Sequence, residues 1–296
     1  MCQLRCISYS TRCIAVNMHI SSIFLLVFVG CSLALRTSNV SWDAIKGKNL
    51  HADPISNSTV DKQNGGRIIG GNEVVPNSRP YQVALLIDGR SFCTGSLISS
   101  TFVVTAAHCT YNCSYVDLIF GAHNINIQEA TQVRVTSSNI IVHPDFMRPD
   151  RRSNDISLIR IPSPIVSNSY IRIVDMARAE DGFYVGSTAV LSGWGTTSDT
   201  SSSISSELRE VYLTVMDNTD CVNVYGPGIV KSSNICTSGR GAVGGCNGDS
   251  GGPLVVDNVQ IGVTSFISSR GCESGDPTGY ARISHYRAWI DRNINL

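Results

Sequence analysis

Hydrophobic and polar positions divide the chain into three stretches of different character. Residues 20 to 35 form an uncharged apolar run, Ile-Ser-Ser-Ile-Phe-Leu-Leu-Val-Phe-Val-Gly-Cys-Ser-Leu-Ala-Leu, closing on small residues. Residues 35 to 67 are polar, carry Asp53-Pro54 and Asn64-Gly65-Gly66, and hold no sustained apolar period. From Arg67 to about residue 283, short apolar runs alternate with turn residues, as in 81–87, 102–107, 116–120, 155–161, 189–191, 207–215 and 253–266. No helical period separates these runs, which predicts an all-β fold and excludes an alternating α/β one. At the C-terminus, Ser284 stands ahead of Tyr286, Trp289 and Ile290, predicting a serine-capped amphipathic helix. The serine-rich stretch 198–206 is expected to be an exposed, mobile loop, and 162–177 a connection between two all-β halves.

Composition narrows this picture. A chain of 296 residues, 42% hydrophobic, can bury a full core as one large domain or two small ones. Its 23 basic and 23 acidic residues balance, which argues against nucleic acid or an anionic membrane surface as partner. The N-terminal apolar run falls short of the roughly 20 residues a membrane span needs. It reads as a signal peptide over residues 1–34, cleaved near Ala34, with Met18 as an alternative start. Residues 35–67 then read as a propeptide.

Of the 11 cysteines, Cys2, Cys6, Cys13 and Cys31 precede or lie in the signal segment. Cys93, Cys109, Cys113, Cys221, Cys236, Cys246 and Cys272 follow it without the short paired spacing of a zinc site. They predict a disulfide framework, hence an oxidising compartment and a secreted, extracellular protein. Sequons at Asn39, Asn57 and Asn112 are candidate glycosylation sites on that route.

Candidate chemistry centres on Gly248-Asp249-Ser250-Gly251-Gly252. Glycines beside a serine let the backbone turn tightly and aim N–H groups at a developing oxyanion. Taken alone, the run also satisfies the Gly-x-Ser-x-Gly elbow of α/β-hydrolases, in which an acid and then a histidine follow the serine. Here only His285 follows, inside the predicted terminal helix. Upstream, 103–109 places His108 at the end of an apolar strand, and 154–159 places Asp155 at the head of another. The order His108, Asp155, Ser250 is that of the chymotrypsin-type triad, with His108 as base, Asp155 as its orienter and Ser250 as nucleophile. His51, His123, His143 and His285 are read as structural, and His19 as part of the removed segment.

On these motifs the sequence resembles the trypsin/chymotrypsin-like serine proteases. The resemblance is carried by Arg67-Ile68-Ile69-Gly70-Gly71, Thr105-Ala106-Ala107-His108-Cys109, Asn154-Asp155-Ile156, Ser192-Gly193-Trp194-Gly195 and the run from Gly248 to Leu254. Gly121-Ala122-His123-Asn124-Ile125 and Thr264-Ser265-Phe266 resemble the arthropod secreted collagenolytic and elastase-like (brachyurin-type) enzymes. The resemblance implies two six-stranded antiparallel β-barrels with a C-terminal helix over residues 68–296, joined near 162–177, with the active site between them. It implies an oxyanion hole from the N–H groups of Gly248 and Ser250, a supporting role for Ser265 at Asp155, and activation by cleavage after Arg67. The new Ile68 ammonium would pair with Asp249. It further implies disulfides Cys93–Cys109, Cys221–Cys236 and Cys246–Cys272, leaving Cys113 unassigned.

The pocket residues implied by the resemblance are Gly244, Asn247, Ser265, Ile267 and Thr278. Gly244 stands where trypsin carries its aspartate, while Ile267 and Thr278 replace glycines of open pockets. Small aliphatic P1 residues are therefore expected, with a chymotrypsin-like preference or a non-catalytic binding homologue as alternatives. A calcium loop is not evident around Ala122 to Ala130, and Pro277 resembles the proline of members without a sodium site; no metal and no cofactor are expected. Expected partners are polypeptide substrates, an upstream trypsin-like activating protease and protein protease inhibitors, with a monomeric chain free of the membrane after signal cleavage.

Overall fold

The computed structural model describes residues 69–150 and 152–295. The signal segment, the propeptide, Arg67, Ile68, Asn39 and Asn57 lie outside the described residues. The strands of the first half are β1 (Asn72–Glu73), β2 (Gln82–Ile87), β3 (Ser91–Ser99), β4 (Phe102–Thr105), β5 (Val116–Phe120), β6 (Val133–Ser137), β7 (Ile140–Val142) and β8 (Ser157–Arg160). Those of the second are β9 (Asp175–Met176), β10 (Thr188–Gly193), β11 (Arg209–Met216), β12 (Asn234–Thr237), β13 (Pro253–Val256), β14 (Val259–Phe266) and β15 (Thr278–Arg282). Among the described residues three α-helices join them: α1 (Ala107–Thr110), α2 (Asn218–Tyr225) and α3 (Ile283–Ile294).

The fold is the expected all-β, chymotrypsin-like one, built from two barrel-like sheets and a C-terminal helix. In the second sheet the path β11-β10-β13-β14-β15-β12 closes through the β11–β12 pairing into a six-strand barrel. The first sheet instead runs as an open path, β6-β5-β2-β3-β4-β8-β7, so it is a half-barrel of seven strands where six in a closed ring were expected. The short β7, paired only to β8, supplies the extra strand. Between the two sheets the chain runs from β8 to the short β9, which pairs in parallel with β14.

Strand periodicity follows burial. Val211, Leu213 and Val215 of β11 face the core while Tyr212 and Thr214 face out, the period-2 signature of a sheet with one wet side. By contrast every residue of β2 is buried, because this strand lies between two neighbours and under the other sheet. Its polar residue is satisfied across the halves: Gln82 Nε2 donates to Ser192 O at 2.8 Å, and Ser192 Oγ donates to Gln82 Oε1 at 2.8 Å. Each buried aliphatic side chain of this core contributes about 1.5–3 kcal/mol by leaving water.

Three local expectations change. Helix α3 begins at Ile283 directly after β15, with Arg282 as its N-cap and no side-chain cap, so Ser284 sits inside the first turn and does not cap it. Helix α2 was not predicted; it buries only Cys221 and so carries no apolar stripe, although Asp217 caps it by accepting from Thr219 N at 2.7 Å. The stretch 198–206 is anchored, as described below, and is not simply a free loop. Among the described residues no helix is long and apolar enough to cross a membrane.

Candidate active site

Sheet register brings the candidate base and acid together. In the β4–β8 ladder Thr105 lies opposite Ser157, so His108, just past β4 in α1, falls beside Asp155, just ahead of β8. His108 Nδ1 donates to Asp155 Oδ2 at 2.8 Å, and the His108 backbone N–H donates to Asp155 Oδ1 at 2.8 Å. Ser265 Oγ adds a third hydrogen bond, to Asp155 Oδ2 at 2.6 Å. Ser265 reaches there because β14 bulges against β15 at this residue, which re-aims its side chain. Asp155 is therefore a buried carboxylate held by three donors. Burial acts to lower the His108 pKa, and the hydrogen bond and charge of Asp155 overcome it, so the imidazole titrates above its ordinary 6.5.

His108 and Ser250 line one open cleft together with Asn247, Gly248, Phe92 and Tyr111. The loop bearing Ser250 has most of its N–H groups committed. Asp249 N donates to Cys246 O, Gly251 N to Thr264 O and Gly252 N to Asp249 O. The N–H groups of Gly248 and Ser250 have no acceptor among the described residues, which is the condition for receiving an oxyanion. Glycine is required at 251, where φ is +79° and a Cβ would overlap Thr105 Oγ1 and Thr94 O.

Thr94, which sequence reasoning missed, fixes this loop from the other sheet. Its N–H donates to Ser250 O at 2.8 Å and its Oγ1 to Gly248 O at 2.9 Å. No local signal marks it, since it lies mid-strand in β3 like any buried threonine.

Asp249 is fully buried. Its Oδ1 accepts from Gly195 N at 2.8 Å and its Oδ2 from Cys246 N at 2.9 Å. Burial pushes its pKa up to about 6, with these two N–H groups lowering it only in part. Gly193 and Gly195 pack so closely on this carboxylate that a Cβ at either position would overlap it. Gly195→Ala is expected to lower the melting temperature by about 5 °C, from roughly 2 kcal/mol of overpacking in a domain of this size. Calorimetry checks this, and an unchanged midpoint would mean the carboxylate has room to move.

Around the pocket, the three disulfides Cys93–Cys109, Cys221–Cys236 and Cys246–Cys272 are formed. Cys113 forms no disulfide among the described residues and is half-buried, with its thiol pushed up by burial and by the charge of Asp88. The exposed Asn112 beside it lines the cleft. Thr278, at the start of β15, is buried, and its Oγ1 accepts from Gly245 N at 3.3 Å. A Cβ on Gly244 would lie 2.7 Å from that same oxygen, so the two face each other closely. Ile267 packs against the cluster of Ile69, Cys246 and Cys272. Asp276 is turned to Arg270 and to Ser268 Oγ, the latter at 2.5 Å.

The serine-rich stretch braces the pocket wall through a reciprocal clasp. Asp199 accepts from the N–H groups of Cys272 at 2.7 Å and Glu273 at 3.1 Å, while Asp199 N donates to Glu273 Oε2 at 2.8 Å. This pairing joins segments more than 70 residues apart, so neither end announces it in sequence.

The Trypsin family profile matches residues 68–290. The chain belongs to the trypsin family of serine proteases. It is a serine endopeptidase. It is 44% identical over 229 residues to brachyurin of Leptuca pugilator, covering 77% of this chain and 99% of that protein. It is 35% identical to chymotrypsin-like elastase family member 1 of Canis lupus familiaris, covering 78% and 94% respectively. A solved structure titled HL collagenase superposes with a TM-score of 0.71 at 36% identity, covering 77% of this chain and 99% of that one. Of the candidates named from sequence, His108, Asn112, Asn247, Gly248 and Ser250 line this cleft, and Asp155 and Ser265 stand behind His108.

Proposed function

We propose that this chain is a secreted serine endopeptidase, released from its precursor by cleavage after Arg67, that favours small aliphatic residues at P1. The observation that carries the catalytic assignment is the buried Asp155 accepting from His108 Nδ1 beside the cleft that Ser250 lines. In this reading Ser250 attacks the scissile carbonyl and His108 takes its proton. Asp155 fixes the imidazole tautomer and stabilises the imidazolium. The N–H groups of Gly248 and Ser250 receive the oxyanion, and His108 returns the proton to the leaving amine. Water then opens the acyl-enzyme by the same route.

The zymogen reading rests on Asp249. A fully buried carboxylate with two backbone donors, and no cationic partner among the described residues, gains most from an arriving ammonium. Ile68, freed by cleavage, would supply it. The adjoining Ile69 is already buried and bridged to Gly244, which supports an approach from that side.

Specificity rests on the pocket walls. Gly244 brings no charge, Asp276 is already engaged by Arg270, and the Thr278 side chain fills space next to Gly244. Each methylene gained or lost in such a slot changes transition-state binding by about 1–3 kcal/mol. Cleaving the recombinant precursor after Arg67 and profiling a library with randomised P1 tests the proposal. Ala and Val are expected to exceed Phe and Arg by at least about tenfold in kcat/KM. Preference for Phe or Arg would overturn the narrow pocket. Absence of both turnover and phosphonate labelling at Ser250 would replace the catalytic reading with that of a binding homologue.

A further inference from the structure

A second groove, none of whose lining residues belongs to the catalytic cleft, runs between α2 and the ends of β11 and β15. Phe183, Val185, Met216, Val222 and Val230 give it an apolar wall, and Arg282 lies in its lining. Phe183 and Val185 are 60% and 52% exposed, so this wall meets solvent.

Arg282 is the unusual member. Its residue is only 5% exposed, yet no carboxylate pairs with it among the described residues. Nε and Nη2 both donate to one neutral carbonyl, Asn234 O, at 3.0 and 2.6 Å. Nη1 is buried and has no hydrogen-bond partner among the described residues. Burial lowers the guanidinium pKa to about 10, still far enough above neutrality for the cation to persist. A buried charge without counter-ion or full hydrogen bonding costs several kcal/mol.

The neighbouring charges do not relieve it. Lys231 is taken up by Asp150 and Ser153, and Asp217 by its capping role at Thr219 N. What covers the guanidinium is an aromatic ring: Phe183 lies with its centroid 4.2 Å from Arg282 Cζ. That ring is carried on a turn between Gly182 and Tyr184, both at positive φ, and is itself largely exposed. A cation at the floor, an exposed ring over it and aliphatic side chains beside it make an amphiphilic receptor.

We propose that this groove binds a carboxylate joined to an apolar group, the carboxylate meeting Arg282 Nη1 after Phe183 swings aside, the apolar group resting on Val185, Met216 and Val222. A planar guanidinium with a free N–H suits a carboxylate better than any single neutral acceptor. Two sources share this chemistry: a fatty acid, and the new C-terminal residue of a cleaved peptide.

Calorimetric titration of the mature enzyme with decanoate against decanol, and with N-acetyl-Ala-Leu against its amide, tests the site and separates the sources. At least one acid is expected to bind tenfold or more tighter than its uncharged counterpart, and Arg282→Met to abolish that preference. A ratio below tenfold for both pairs, or a preference that survives in Arg282→Met, overturns the proposal. Should Arg282→Met fail to fold, Phe183→Ala decides, since it leaves the cation in place. Acid binding tightened threefold or more by this change supports the covered site, and unchanged affinity overturns it.

Discussion

Replacing Ser250 with alanine is expected to lower kcat by about 10⁶, and His108→Ala to do the same, with the double variant no worse than either. The reason lies in how the two groups work. A serine hydroxyl is a weak nucleophile until a base removes its proton, and an imidazole without a nucleophile to activate has nothing to accelerate. Each therefore forfeits the shared step entirely, and the losses do not add. What survives is the contribution of the oxyanion site: the Gly248 and Ser250 N–H groups, left without acceptors among the described residues, still polarise a bound carbonyl. Single-turnover kinetics on a peptide ester measures these rates, and a double variant a thousandfold worse than the singles would mean the residues act independently.

Asp155→Asn carries the second largest effect, a loss of about 10⁴ in kcat. An asparagine keeps the shape but presents an N–H₂ group to His108 Nδ1, or leaves the ring's N–H with a weaker acceptor. The proton then resides on the nitrogen that must accept one from Ser250. The substitution also loosens Ser265, whose hydroxyl donates to the same carboxylate oxygen. A pH profile distinguishes orientation from general damage. The base works only when neutral, so kcat/KM of the parent falls as pH drops through the His108 pKa, which Asp155 holds above 6.5. Without that carboxylate, burial is left to lower the pKa, so the acid limb should move to lower pH in the variant. A loss under tenfold with an unmoved limb would remove Asp155 from the triad.

The candidate site was largely legible in sequence because its chemistry sits in contiguous runs at the ends of strands. His108 and Asp155 terminate and begin apolar segments, and a strand end is where the side chain leaves the sheet. Glycines around Ser250 speak for themselves, since few other residues reach φ of +101° at Gly248 and +79° at Gly251. Other features were hidden because they depend on tertiary approach. Thr94, Asp199 and Arg282 each occupy an ordinary local pattern and acquire meaning only from what packs on them. Helix α2 was missed for a different reason: with one fully buried residue, it has no hydrophobic stripe to read, and only the Asp217 cap marked its start. The expected cap at Ser284 failed because β15 runs into α3 without an intervening turn, which moves the helix cap two residues earlier, to Arg282.

Thr94 belongs to one half of the fold, and the loop it grips belongs to the other. Working geometry is thus joint property, and neither half can be expected to hydrolyse anything when produced as a separate fragment. On warming, catalysis should vanish with whichever half opens first, even while the other retains its protection against hydrogen exchange. Residual activity after heating is consequently a readout of the weaker barrel, and attempts to extend shelf life by hardening the stronger one should go unrewarded.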